Sequence, residues 1–152
     1  STLIMSSLRE RALRLLARRE HARAELARKL SAHSESDEEL ETLLDELSAQ
    51  RLLSDERYAE MRINARGARF GNARLTYELR SQGVSEELIG AALEECDDEL
   101  SRAREVFMQK FANCGEIHDS AQRARQTRFL MNRGFSGETI RRLLRGDFEE
   151  DE

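Results

Sequence analysis

Of the 25 basic residues in this chain only Lys29 and Lys110 are lysine, so the side chains best equipped for chemistry are guanidinium groups. A guanidinium is a planar, permanently charged fork of donors that matches carboxylate and phosphate oxygens. Arg62, Arg66 and Arg69 follow one another at spacings of four and three, Arg11, Arg14 and Arg18 at three and four, and Arg141 and Arg145 at four. On helices each set shares a face. Arg74, Arg80, Arg123, Arg125, Arg128, Arg133 and Arg142 extend the supply, and these residues, with the sets at 62–69 and 141–145, are the candidates for binding a partner or DNA. Ion pairs within helices would engage the same side chains, so anion recognition and surface pairing are both open from spacing alone.

No other chemistry is suggested. Cys96 and Cys114 form no CxxC, and His21, His33 and His118 show no ligand spacing with them, so no metal or other cofactor is expected. No Ser/His/Asp or Cys/His arrangement stands out, and no glycine-rich phosphate loop follows a strand, so the chain reads as a non-enzyme. Two unexceptional thiols fit a reducing cytoplasm. The opening "STLIMSS" has too short an apolar run for a signal peptide, and no stretch reaches membrane length. A cytoplasmic protein without membrane contact is expected.

The elements that must carry the arginines are helices. There is no proline, only 8 glycines, and Ala, Leu, Glu and Arg dominate, whereas the residues that favour sheets are sparse. A recurrence organises them. "LRSQGVSEELIGAAL" (79–93) lies over "LMNRGFSGETIRRLL" (130–144), matching Leu79 to Leu130, Gly83 to Gly134, Ser85 to Ser136 and Ile89 to Ile140. A third copy runs through Leu30, Ser36, Leu40, Leu43 and Leu44, with Ser34 in the glycine position. Each copy holds a middle helix, a turn and a third helix. Gly83 and Gly134 suit the left-handed residue past a helix end, and Ser36, Ser85 and Ser136 suit N-caps. Ala24, Ala73 and Ala124 stand where close approach would be useful, and Gln126 replaces the leucine found at 26 and 75. Ahead of each middle helix lies another amphipathic segment, at 8–19, 55–69 and 99–113. The expected organisation is therefore all-α, three tandem three-helix repeats at 8–50, 51–97 and 98–148, stacked or elongated, between a flexible segment 1–7 and an acidic tail 149–152.

Net charge is −5, yet its sign alternates with the repeats: +5 over 9–30, −7 over 31–50, +3 over 51–82, −7 over 83–101, +6 over 102–146 and −5 over 147–152. The turn "SQGVS" also allows a helix-turn-helix reading. Its second helix would carry Glu86, Glu87, Glu94 and Glu95 with no basic residue, so duplex phosphates would repel it. The last repeat is the exception, with Arg141, Arg142 and Arg145 on its third helix.

The run "DERYAEMRINARGARFGNARLTYELRSQGVS" (55–85) resembles the central motif of the RecX regulatory proteins, modulators of the recombinase RecA. Its marks are Asp55, Arg57, Tyr58, Ala59, Arg66, Gly71, the Glu78–Leu79 pair and Gly83. "REHARAELARKL" (19–30) is similar to the family's first motif and "RFLMNRGFSGETI" (128–140) to its third, although Ala22 stands where the family commonly has Ser or Thr. The resemblance covers roughly residues 8–145. It implies a curved, modular helical protein that binds RecA filaments on single-stranded DNA, restraining their growth, ATP hydrolysis and strand exchange, with weak direct DNA contact as a secondary expectation. A helix-turn-helix DNA binder and a helical adaptor for some other acidic partner are the alternatives.

Individual residues divide accordingly. Tyr58 is expected to pack in the core or between repeats rather than serve as a base-stacking platform. Glu78 is expected to bridge a nearby arginine, with acidic recognition as the alternative, and Gly71 to break the chain between helices. "DFEEDE" (147–152) is either a solvated tail or an intramolecular competitor for the basic face. A monomer is expected, because no long apolar face is left over once the repeats pack.

Overall fold

A computed structural model describes residues 2–112 and 119–146, with side chains from Leu8 onward. Among the described residues there are nine α-helices and no strand. They are α1 (Thr2–Arg18), α2 (Arg23–Ser31), α3 (Asp37–Ala49), α4 (Asp55–Arg66), α5 (Asn72–Ser81), α6 (Glu86–Glu95), α7 (Glu99–Phe111), α8 (Ser120–Asn132) and α9 (Gly137–Arg145).

Four of the helix starts follow from serines, and α7 and α8 start on Asp98 and Asp119. The Oγ atoms of Ser36, Ser54, Ser85 and Ser136 accept the N–H groups of Glu39, Arg57, Leu88 and Thr139 at 3.1, 3.1, 3.2 and 3.1 Å. Each such cap is typically worth about 1 kcal/mol. The middle helices α5 and α8 end on Gly83 and Gly134, at φ +82° and +87°. That left-handed geometry lets the next N–H, of Val84 or Phe135, return to the carbonyl of Leu79 or Leu130 at 3.1 and 3.2 Å. Ser34, at the matching place in the first copy, keeps a negative φ.

By compactness the chain gathers into two units, Ser1–Met61 with Leu79–Ile89, and Arg62–Glu78 with Gly90–Glu152. The three-repeat division describes recurrence in the sequence, and these two units describe packing. The first unit encloses Leu8, Ala12, Leu26, Leu30, Leu40, Leu43, Leu44, Leu47 and Leu53. Fully burying a leucine contributes roughly 1.5–3 kcal/mol, which is what holds α1, α2 and α3 together. The second encloses Leu100, Ala103, Val106, Leu130, Phe135, Ile140 and Leu143, with Phe107, Phe129 and Leu144 against them. Gln126 is buried there at the leucine position of the other copies.

Two helix bounds depart from expectation. α1 is helical from Thr2, upstream of the expected start at Leu8. α4 stops at Arg66, so Arg69 does not share a helical face with Arg62 and Arg66 but lies in the turn that follows. The cause is Gly67. Its N–H still reaches the Ile63 carbonyl at 2.6 Å, but its own carbonyl turns aside to accept the Nε of Arg102 at 2.9 Å. The expected helix end at 113, with Cys114 and His118, and the acidic tail 149–152 lie outside the described residues.

Candidate functional site

Five of the twelve candidate arginines converge in the second unit around one carboxylate and one ring. Glu78, on α5, takes the guanidinium of Arg66 as a two-pronged pair, with Nε to Oε1 at 2.6 Å and Nη2 to Oε2 at 2.9 Å. Arg62 adds Nη2 to Oε1 at 3.2 Å, and Arg74, one turn earlier on α5, adds Nε to Oε2 at 3.1 Å. Burial would raise the Glu78 carboxyl, but hydrogen bonds from Arg66 and Arg74 and the charges of Arg66 and Arg62 outweigh it and hold it below its ordinary value. The carboxylate is thus fixed as an anion, and three cations share it. Beside them the ring of Phe70 is approached by the guanidinium carbons of Arg66 at 4.4 Å, Arg74 at 4.8 Å, and Arg69 and Arg133 at 5.4 Å each. Stacking on a ring holds a guanidinium without neutralising it. The cluster therefore keeps its arginines ordered while retaining net positive charge, which suits it to recognising anionic groups.

What positions the cluster is backbone. Gly71 donates its N–H to the Arg133 carbonyl at 2.7 Å, and Ala73 donates to the Gly134 carbonyl at 3.1 Å. A Cβ on Gly71 would lie 2.4 Å from both the Gly134 oxygen and the Phe135 nitrogen. Gly71 is thus more than the expected break between helices: the turn of the third repeat sits directly on the start of α5. In the first unit the turn at Gly83 sits against Ala24 of α2 in the same manner, since a Cβ there would come within 2.9 Å of the Ala24 methyl.

A second recurrent device was missed from sequence. The N–H of Arg23, at the start of α2, donates to Oδ1 of Asp55 at 2.7 Å, and that of Asn72, at the start of α5, to Oε2 of Glu99 at 2.7 Å. Each acid opens the first helix of the following repeat and satisfies an orphan donor of the middle helix before it. Both acids occupy the first position of a helix, which is the signal that could have found them. Arg102 was missed too. It is buried, and donates Nε to the Gly67 carbonyl at 2.9 Å, Nη1 to Oδ1 of Asn72 at 2.7 Å and Nη2 to the Phe70 carbonyl at 2.6 Å. An arginine four residues before Val106, on the inward side of α7, was its trace in the sequence.

The other candidates are placed apart from this cluster. Arg80 forms an exposed pair with Glu86, Nε to Oε1 at 2.5 Å. Arg125 and Arg128 are exposed on α8, and Arg142 is half-buried on α9. Arg123, Arg141 and Arg145 rim a groove between α8 and α9 whose floor is Thr127, Met131, Ile140 and Leu144. Tyr58, 2% exposed, offers no face to a base, and Leu79 is equally enclosed. In the first unit Arg11, Arg14, Arg18, Lys29 and His33 line a groove over Leu15 and Leu30, with no acidic residue among the described ones lining it. Cys96 is half-buried and free. Among the described residues no group of His, Cys, Asp and Glu is placed to hold a metal, and no helix is long and apolar enough to cross a membrane.

The first unit also carries a buried acid–base corner. Glu25 pairs with Arg19, Nη2 to Oε2 at 2.5 Å, and with Lys29 at 3.6 Å. His21, 2% exposed, lies between the Arg19 carbonyl at 3.1 Å from Nδ1 and the Lys29 ammonium at 3.0 Å from Nε2. An ammonium only donates, so Nε2 accepts and Nδ1 carries the proton. Burial, then the charges of Arg19 and Lys29, hold the imidazole below its ordinary value against the pull of the Arg19 carbonyl and Glu25. For Glu25 burial pulls upward, but the Arg19 hydrogen bond and the charges of Arg19, His21 and Lys29 bring it down to about 2. Both shifts work against acid. As pH falls below 6.5 the unfolded chain gains a proton at His21 that the folded one resists, and between 4.5 and about 2 it gains another at Glu25. Thermal melts from pH 7 to pH 2 are expected to show stability falling through both windows. In Glu25→Gln the lower window should be shallower by about 2–3 kcal/mol, and an unchanged acid limb would remove Glu25 from the account.

Comparison with known proteins agrees with this architecture. The family model "RecX, second three-helix domain" matches residues 54–93, and "RecX, third three-helix domain" matches residues 97–144. The "Regulatory protein RecX" of Herminiimonas arsenicoxydans is 43% identical over 149 residues, covering 96% of each chain. That of Leptothrix cholodnii is 45% identical over 147 residues, covering 95% of this chain and 92% of its own. Among solved structures, the crystal structure of RecX from Lactobacillus salivarius superposes with a TM-score of 0.84 at 16% identity, over 96% of this chain and 97% of that one, a likeness of fold. Helices in sets of three, glycine turns seated on the preceding repeat, and sequence identity above 40% across nearly the full length lead to one conclusion: the chain belongs to the RecX family of regulatory proteins.

Proposed function

We propose that this chain is a cytoplasmic, non-enzymatic regulator that binds the RecA nucleoprotein filament on single-stranded DNA and restrains its ATPase, recombinase and coprotease activities. The observation that carries the reading is 43% and 45% identity, over nearly the full length, to proteins named "Regulatory protein RecX". The chemistry of the surface is consistent with it. A RecA filament presents both protein carboxylates and DNA phosphates, and the arginines around Glu78 and Phe70, with Arg125 and Arg128 exposed on α8, match either kind of oxygen anion. The regulator is taken to act as a monomer: among the described residues few large apolar side chains are left exposed, namely Leu52, Tyr77, Met108 and Met131. The division into three repeats at 8–50, 51–97 and 98–148 is proposed as the functional modularity.

The test is a titration into RecA on single-stranded DNA with ATP hydrolysis as the readout. The wild-type chain is expected to lower the ATPase at or below a one-to-one ratio, and Arg125→Glu with Arg128→Glu to require several-fold more protein. An ATPase unchanged through a full titration at low salt would refute the reading. Tight duplex binding without RecA would instead favour the DNA-binding alternative, for which α9, with Arg141, Arg142 and Arg145, is the only third helix carrying basic residues.

A further inference from the structure

We propose that the groove between α8 and α9 is the docking site of the chain's own acidic segment, Asp147–Glu152, and that the free protein holds this groove closed against acidic partners.

The groove has a definite chemistry. Residues 123, 127 and 131 follow one another at intervals of four on α8, and 137, 140, 141, 144 and 145 form the facing stripe of α9. The floor is apolar: Ile140 is buried, Leu144 half-buried, and Met131, a large flexible side chain, stands 60% exposed. The rim is cationic, carried by Arg123 and Arg141 with Arg145 at its end, and among the described residues no acidic side chain lines it. Arg123 is anchored across the groove, its Nη1 donating to the Leu144 carbonyl at 3.2 Å. Gly137 contributes no side chain, and a Cβ there would lie 3.2 Å from Nη1 of Arg141. The missing methyl leaves room for that guanidinium at the groove's edge. A ligand for this surface needs one apolar or aromatic side chain for the floor and several carboxylates for the rim.

The sequence after α9 has that composition. Asp147-Phe148-Glu149-Glu150-Asp151-Glu152 carries five carboxylates and one aromatic ring. It is joined to the groove's own wall, because α9 ends at Arg145 and the next residue, Gly146, has φ +78°. A left-handed residue at a helix end turns the chain out of the helix direction. Six extended residues span up to about 20 Å, and a nine-residue helix is about 14 Å long, so the segment can run back along α9 from end to end. A short tether gives an effective concentration of order millimolar, enough for a weak charge-complementary contact to be occupied in the free protein at low salt.

The inference concerns the free protein and does not depend on what the partner is. Methyl-labelled methionine reports it directly, because Met131 sits on the floor while Met61 and Met108 lie elsewhere. In the full chain, Phe148→Ala combined with Glu149→Gln, Glu150→Gln and Asp151→Asn is expected to shift the Met131 methyl resonance and leave those of Met61 and Met108 in place. High salt should shift the wild-type signal in the same direction. A synthetic Asp-Phe-Glu-Glu-Asp-Glu peptide should then bind the tail variant at least fivefold more tightly than the wild-type chain, and Arg123→Glu with Arg141→Glu should abolish that binding, whereas Arg125→Glu should not. A Met131 signal indifferent to the tail substitutions would overturn the proposal. So would equal peptide affinity for both chains, which would make the groove a site for external acidic segments only. Neither result would bear on the RecA titration, which can succeed or fail separately.

Discussion

Gly134→Ala is expected to destabilise the protein by about 2–5 kcal/mol, the sum of two penalties that act together. An alanine at φ +87° carries a left-handed cost of about 1–2 kcal/mol. Its methyl would also lie 2.3 Å from the Arg74 Cβ and 2.7 Å from the Arg74 nitrogen, and overpacking against such a wall costs typically about 1–3 kcal/mol. Gly71→Ala meets the same junction from the other side, where the obstructing atoms are all backbone and the bond from Gly71 N–H to the Arg133 carbonyl must stretch. For a chain of this size each kcal/mol moves Tm by about 2–4 °C, so drops of roughly 10 °C are expected from either variant. Gly90→Ala is the control. Nothing lies within 4 Å of a Cβ at that helical position, and the change should raise stability by about 0.5–1 kcal/mol. Equal melting temperatures for all three variants would show that the turn is not seated as described.

Arg102→Leu is expected to cost a similar amount, about 3–5 kcal/mol, by another route. The Gly67 and Phe70 carbonyls and the Asn72 side chain would lose their donor inside the second unit. Each buried acceptor left unmade costs about 1–3 kcal/mol. Leucine restores apolar volume but no donor, and lysine offers one ammonium where three diverging N–H groups are used, so Arg102→Lys should recover little. Hydrogen exchange gives the discriminating measurement. Protection should fall first in residues 67–72, the segment Arg102 pins, before the cores around Leu44 or Ile140. Uniform loss across the chain would mean that Arg102 contributes only packing. Because the same segment carries Phe70 and precedes Arg74, loss of the pin should also disperse the arginine cluster.

The sequence was most legible where a local signal is also a global one. Serine directly ahead of a turn of helix, at 36, 54, 85 and 136, is a cap by local geometry, and glycine after a leucine ladder marks a helix end, so the helix count per repeat and the turns could be read directly. Helix ends were less legible. α4 reads as continuing to Arg69 because a single glycine at 67 does not by itself end a helix; it stops where Arg102, thirty-five residues away, takes the Gly67 carbonyl. The caps from Asp55 and Glu99 were hidden for the same reason, since each acid looks like an ordinary first-turn residue of its own helix while serving a different one.

The arginines show where sequence reading ends. At matching places in the three middle helices stand Lys29, Glu78 and Phe129. In the first unit Lys29 lines an open groove with Arg11, Arg14 and Arg18. In the second, Glu78 gathers Arg62, Arg66 and Arg74 onto one carboxylate. On the third middle helix, also in the second unit, Phe129 places a ring 5.0 Å from Arg133 and 5.4 Å from Phe111. Periodicity alone determined that this chain is helical, that it recurs in threes, and that its cations share faces, because those properties depend on neighbours within one turn. Which cations are held and which stand open was decided by the tertiary structure, since a guanidinium is neutralised or left available by residues that only folding brings within about 4 Å of it.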